Sequence, residues 1–589
     1  MDADLAQRRS RAARELFAWL SFALPLWLTA ARLDGAARFG VDEAVLQSLD
    51  PAVCHTGHLS AALGRLTALV PFGSLSFRFA LAGALAAGVA GRLCFGLALS
   101  LLEWSGGRRM APVLALAAAT AAVMSAPWQL EAFRPGGSAV SGALLLGLVA
   151  VQVHGAERPW AKSGLLLGAL LAEGLAGFFG GLMLVGLFGA ASGNLPRRAE
   201  VLQVLAATTG AWTLLALPAV LASGPSALVW AARQGTPALP HLPEPGAAWT
   251  GWVAGAGVIG LALGAVGLAG FALTGRQRLA AALGAALLSD LVLCRTGALT
   301  EADAAPSSLT AVALIVVLAA AGVQRASDLV GGLRVPFARG SGVLLRVALV
   351  TLALVAVEDS GHLLGASRTD GAQAWTNEAL GRLPPDSLVI VHSKPVAARL
   401  LAAQRLRGER PDVLVVPLEL LQNPVLARPL IQAEPGLGAL VRDVTVAGRP
   451  SEYALSSLAE RRPMFLELYP AWDRRLMEQL VPGPFWLKLA PHALGRSDRV
   501  AALERGRAGY RRVLAAAQSG VQPDRATLAV LFESGRQQAT VLLELRDERT
   551  ARGVLEDLRQ IDPEHPVVQE LERRLGLDDI ARLDRPRAP

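Results

Sequence analysis

Long apolar runs fill the chain as far as about Val357 and then stop, and no other feature limits the fold as much. A bilayer span needs about 20 predominantly apolar residues, and candidates lie near 15–33, 76–102, 110–127, 138–156, 200–223, 250–274, 279–295, 308–323 and 343–357. With 53% hydrophobic residues over 589 positions, the chain holds more apolar side chains than a soluble core consumes, and the excess must face lipid. The expected fold class is a polytopic α-helical membrane bundle of about 10–11 spans or half-spans, a small α/β outer domain and C-terminal helices. The expected boundaries are 1–357, 358–498 and 499–589.

The first run follows Arg8, Arg9, Arg11 and Arg14, as in a signal peptide or signal anchor, and the further runs favour an uncleaved anchor. Between the fourth and fifth spans lies 163–192, longer than one span needs and interrupted by Glu173-Gly174 and the Gly177–Gly181 cluster. Cytoplasmic loops concentrate Lys and Arg. If 163–192 crossed once, Arg197-Arg198, Arg276, Arg278, Arg325, Arg334 and Arg339 would lie outside. A broken hairpin keeps them inside, with the N-terminus cytoplasmic and everything after Val357 on the outer, periplasmic side of an inner membrane.

From Trp375 the pattern changes. Ser387–His392, Val413–Leu418, Met464–Leu468 and Phe485–Leu489 read as short strands with helices between several of them, which suggests a mainly parallel sheet. Beyond about Arg499 the chain reads as helices only, and Ala551–Gly576 has the pattern of one helical-repeat unit.

The net charge of +8 comes mostly from Arg in short loops, where it orients helices, so a nucleic-acid partner is not expected. Cys54, Cys94 and Cys294 give no disulfide framework, and no zinc spacing, phosphate-cradling loop or nucleophile elbow stands out. What remains is the first outer loop and the ionisable residues within apolar runs. Asp42 and Glu43 could act on an acceptor hydroxyl as general base and assistant, and Arg78 could hold a donor phosphate; the bland reading is a solvated loop with an interfacial Arg. His55 and His58 could contact a ligand, but no third ligand for a metal lies beside them. Arg92, Glu173 and Asp290 are costly at membrane depth and should face a cavity, the bundle interior or each other, as a relay or as structural pairs. For Arg346, near the end of its span, snorkelling to the interface is the better reading.

Leu63-Gly64-Arg65-Leu66 through Val70-Pro71-Phe72-Gly73-Ser74 and Phe77-Arg78 resembles bacterial membrane proteins of the protein O-mannosyltransferase-like family, within the C-type glycosyltransferase superfamily. Leu383-Pro384-Pro385-Asp386-Ser387-Leu388-Val389-Ile390 and Arg410-Pro411-Asp412-Val413-Leu414-Val415-Val416 are similar to that family's outer domain. The resemblance implies sugar transfer from a polyprenyl-phosphate donor to an acceptor at the outer face, with Asp42 at the position of the acidic base. It implies no tightly bound cofactor, and leaves a divalent metal open. The family pattern there is Asp-Ser-Gly-Glu followed by His-Pro-Pro-Gly-Tyr-Pro, whereas this chain has Asp42-Glu43-Ala44-Val45 and His55-Thr56-Gly57-His58. That departure keeps a non-catalytic scaffold, whose outer domain binds a protein partner, as the alternative. A transporter using Arg92, Glu173 and Asp290 is third, without an inverted repeat to support it.

Overall fold

The computed structural model describes residues 2–33, 39, 42–54, 56–105, 110–154, 160–193, 196–224, 247–293, 306–331, 338–366, 370–468, 474–490, 495–519 and 523–575. They form two compact units: Met1–Gly35 with Gln47–Gly365, and Ala36–Leu46 with Ala366–Pro589. The 11-residue segment 36–46 therefore belongs with the chain's second half, although sequence order places it after the first apolar helix.

Among its described residues the first unit consists of helices joined by turns, with no strand. Its helices are α1 (Asp2–Arg32), the end of α2 (Asp42–Leu49), α3 (His58–Thr67), α4 (Leu75–Trp104), α5 (Ala111–Val123), α6 (Ala126–Ala132), α7 (Ala139–His154), α8 (Trp160–Glu173), α9 (Leu175–Ser192), α10 (Arg198–Ser223), α11 (Ala247–Leu273), α12 (Gln277–Leu293), α13 (Pro306–Gly331) and α14 (Ala338–Ala366). Within the described residues each apolar run read from the sequence is helical, and the 110–127 run is divided between α5 and α6. The chain is a multi-pass membrane protein: four helices, Leu75–Trp104, Arg198–Ser223, Trp249–Leu273 and Pro306–Val330, are long and apolar enough to cross a bilayer. A fifth crossing is made if α5 and α6, bent by 62° at their junction, count as one.

Local sequence explains several of these boundaries. Ser74 caps α4 by accepting the Phe77 N–H, and Gly73 takes the positive φ of 79° that the turn before it requires. The 163–192 stretch is two helices, α8 and α9, broken at Gly174. Gly177 faces Leu170 and Gly181 faces both Leu167 and Leu170, so α9 folds back antiparallel along α8. Helices α11 and α13 approach backbone to backbone, because any side chain at Gly322 would strike the Leu263 carbonyl and any at Gly267 the Leu318 carbonyl. Small residues at such crossings let helices gain dispersion contacts where lipid removes the hydrophobic drive.

The second unit is built on a five-stranded sheet: β1 (Leu388–Val391), β2 (Leu414–Pro417), β3 (Met464–Leu466), β4 (Leu480–Pro482) and β5 (Leu487–Leu489) in the order β2-β1-β3-β5-β4. β1 pairs parallel with β2 and β3, while β5 pairs antiparallel with β3 and β4. Its helices are α15 (Gly371–Gly381), α16 (Lys394–Arg407), α17 (Pro424–Ala433), α18 (Leu437–Ala447), α19 (Glu452–Ala459), the short α20 (Arg474–Met477), α21 (Arg496–Gln518), α22 (Arg525–Glu544), α23 (Glu548–Ile561) and α24 (Pro566–Arg574). All four β1 residues are buried, as expected of a central parallel strand covered on both faces. Val389 and Val391 pack with α15, α16 and α21; Leu388 and Ile390 pack with α18 and α19. The β1–β2 crossover through α16 and the β2–β3 crossover through α18 and α19 therefore cover opposite faces of the sheet, and because β2 and β3 lie on either side of β1 the β1–β3 junction is a topological switch point.

Arg410 joins the two outer-domain motifs singled out in the sequence. It takes φ 45°, donates to the carbonyls of Leu380, Leu383 and Pro384, and forks onto Asp412. That guanidinium holds the Asp412 carboxyl down at about 2.

Candidate functional site

Asp42 opens α2, where a carboxylate is favoured by the unpaired N–H groups of the first turn. In the second unit it meets Arg399, whose Nη1 donates to Asp42 Oδ1 at 2.9 Å. Arg399 Nε donates in turn to Thr376 Oγ1 on α15 at 2.8 Å, and that hydroxyl donates to the Ala372 carbonyl. Asp42 is 4% exposed and Arg399 2%. In the same unit Trp375, the neighbour of Thr376 in sequence, packs edge-on against Phe39, Phe485 and Trp486. Asp42 Oδ2 is buried and has no hydrogen-bond partner among the described residues. Burial raises this carboxyl from 3.8 to about 6, outweighing the pull of Arg399 in the other direction. The result is a carboxylate with one oxygen fixed, one unoccupied, and a proton affinity close to neutral pH.

The other residues singled out in the sequence are distributed between the units. Glu43 follows Asp42 on α2 and is half-buried. Arg78, in the first unit, binds the turn before α4: Nε donates to the carbonyls of Phe72 and Gly73, and Nη1 to that of Ala68. Its Nη2 has no partner among the described residues. The Val70–Arg78 motif is thus a capping turn whose carbonyls are tied to the first turns of the helix it starts. His58 begins α3, with Nδ1 3.3 Å from Cys54 Sγ; His55 lies outside the described residues. No group of three or more His, Cys, Asp or Glu suited to a metal occurs among the described residues.

The intramembrane carboxylates do structural work. Glu173, at the end of α8, accepts the Ser60 N–H at 2.7 Å and the Ser60 hydroxyl at 2.6 Å, and so caps α3 from another helix. Asp290 on α12 accepts Trp252 Nε1 at 2.8 Å and Ser308 Oγ at 2.9 Å, tying together α11, α12 and the start of α13. Arg92 is exposed and lies over the Phe95 ring at 5.9 Å. Among the described residues Glu173 is bonded to Ser60 and makes no ion pair with Arg92.

A second polar constellation was not found by reading the sequence. At the carboxyl ends of β1 and β3, Glu467 Oε2 accepts the backbone N–H of His392 and of Ser393, each at 2.8 Å, and lies 3.1 Å from His392 Nδ1. The hydrogen bond to Glu467 raises the His392 pKa above its ordinary value, against the opposing effect of burial. Lys394 and Glu419 form an exposed pair at 3.6 Å from the ends of β1 and β2. The sequence signal was His392 closing one strand-like run and Glu467 near the end of another, but nothing in either run says that they are neighbours.

No protein-family model matches this chain, and no curated protein matches it. Among solved structures it is similar to ArnT from Cupriavidus metallidurans bound to undecaprenyl phosphate, with a TM-score of 0.47 at 14% identity over 76% of this chain and 92% of that one. The apo form of the same ArnT gives a TM-score of 0.41 at 15% identity over 69% and 90%.

Proposed function

We propose that this chain is an inner-membrane glycosyltransferase-like protein that moves a sugar from a polyprenyl-phosphate donor to an acceptor at the outer face, with the N-terminus cytoplasmic and the second unit periplasmic. The observation that carries the proposal is Asp42, a buried carboxylate with a pKa near 6 and an unpartnered Oδ2, at the position where the sequence resembles a family that uses an acidic base. A general base works best when its pKa lies near the operating pH. Asp42 Oδ2 takes the proton of the acceptor hydroxyl. The acceptor oxygen then bonds to the anomeric carbon as the bond from that carbon to the phosphate oxygen breaks, and polyprenyl phosphate leaves as the anion. Arg399 holds Oδ1 and so fixes which oxygen is offered. Arg78 Nη2 is the proposed contact to donor phosphate, and Glu43 the assisting carboxylate.

The burial of the Asp42–Arg399 pair favours a second reading, in which the pair ties segment 36–46 to the outer unit of a partner-binding scaffold. Purified full-length protein supplied with polyprenyl-phosphate sugars separates the two. Release of polyprenyl phosphate with concomitant acceptor glycosylation is the expected result. Absence of release with every donor, together with a stable co-purifying protein, would establish the scaffold.

A further inference from the structure

The first unit contains a cavity of about 700 Å³ between α3, α4, α7 and α8, walled by apolar side chains that include Leu63, Leu93, Leu144 and Leu166. Its polar residues are confined to one end. His154 closes α7 and Lys162 stands in the first turn of α8, while Leu59 and Leu63 on α3 lie toward the opposite end of α8, where Gly57 N–H donates to the Glu173 carbonyl. His154 is already engaged, Nδ1 with the Ala150 carbonyl and Nε2 with Ser100 Oγ. Lys162 is exposed and has no ion-pair partner among the described residues. Gly147 lies on the groove wall: a Cβ there would sit 3.8 Å from Leu93 and Leu166, in ordinary van der Waals contact with both, so a side chain much larger than methyl would extend into the groove. The cavity is of the size that binds small ligands, but its lining is that of a channel for hydrocarbon with a cation at its mouth.

We infer that this groove binds one acyl chain of an anionic glycerophospholipid, with the headgroup phosphate against Lys162. The inference rests on the orientation proposed above, which puts Lys162 on the cytoplasmic side. That leaflet carries the anionic surface lipids that attract Lys and Arg, and a headgroup there stands at the face opposite the one where the donor sugar is consumed. The occupant is therefore a resident phospholipid and not the donor.

Native mass spectrometry of full-length protein released from nanodiscs of equal phosphatidylglycerol and phosphatidylcholine tests this. The wild type should retain phosphatidylglycerol in preference. Lys162→Gln should cut that preference about fivefold, which is what one Lys beside an anionic headgroup supplies. Gly147→Leu should abolish retention of either lipid, because its side chain enters the groove. Should that variant fail to fold, the exposed Lys162→Gln still decides the matter. Equal retention of the two lipids by the wild type, an unchanged preference in Lys162→Gln, or displacement of phosphatidylglycerol by an equal concentration of polyprenyl phosphate would overturn the assignment; the last would give the groove to the donor. The readout requires no catalysis, so failure of glycosyl transfer is a separate result.

Discussion

Replacing Asp42 by Asn should remove a specific part of the protein's pH-dependent stability. Asp42 has its carboxyl raised from 3.8 to about 6 in the folded chain, so between those values the folded state holds a proton that the unfolded state has lost. Stability then rises as pH falls through about 6 and reaches its full gain below 3.8. The shift of about 2 units corresponds to roughly 3 kcal/mol in full. At pH 5, one unit below the folded value and one above the unfolded, the gain relative to pH 7.5 is about 1.4 kcal/mol. His392 contributes in the same direction: its raised pKa gives stability that is fully present below 6.5 and lost as pH rises through the folded value. The difference between wild type and Asp42→Asn isolates the Asp42 share. Urea unfolding of the full chain in detergent, followed by tryptophan fluorescence, should show the wild type gaining about 1.4 kcal/mol more than Asp42→Asn between pH 7.5 and 5. Parallel pH profiles for the two proteins would refute the placement of Asp42 in a site that penalises its charge.

Glu467→Ala should destabilise the second unit by roughly 2–4 kcal/mol, because it strips the acceptor from two backbone N–H groups and from His392; the same denaturation assay reads it. Gly322→Leu should lower the melting temperature of the detergent-solubilised protein, since its side chain meets the Leu263 carbonyl and overpacking costs about 1–3 kcal/mol. An unchanged midpoint would mean that α11 and α13 do not approach as described. Glu173→Ala should cost about 1 kcal/mol and speed amide exchange in 58–67, because α3 loses the carboxylate that caps it.

Hydropathy located the membrane helices, because a period of apolar residues is a local property of the chain. The β1, β2, β3 and β5 strands were legible for the same reason. β4 was not: Leu480-Val481-Pro482 is too short to show alternation, and its proline fits only the sheet edge, where the strand in fact lies. The sheet read as mainly parallel is divided between two parallel and two antiparallel pairings, since β4 and β5 form a hairpin within it. The polar contacts were the least legible. Asp42 was recognised as a candidate, but its partner Arg399 lies 357 positions away, and no local pattern could assign residues 36–46 to the second unit. Glu173 and Ser60 stand 113 positions apart, and His392 and Glu467 75 apart. Each pair is created by tertiary packing of elements whose own sequences specify only helix or strand.

The pH dependence of kcat/KM for sugar transfer from a polyprenyl-phosphate donor, measured for the wild type and Asp42→Asn, tests the central claim most directly. With Asp42 as base, the wild-type rate should fall about tenfold per pH unit below a midpoint near 6, as the carboxyl takes up its proton. Asp42→Asn should lie about 10²–10⁴-fold lower and lose that acidic limb. Equal rates in the two proteins, or an acidic limb that survives in Asp42→Asn, would contradict the assignment of Asp42 as the base.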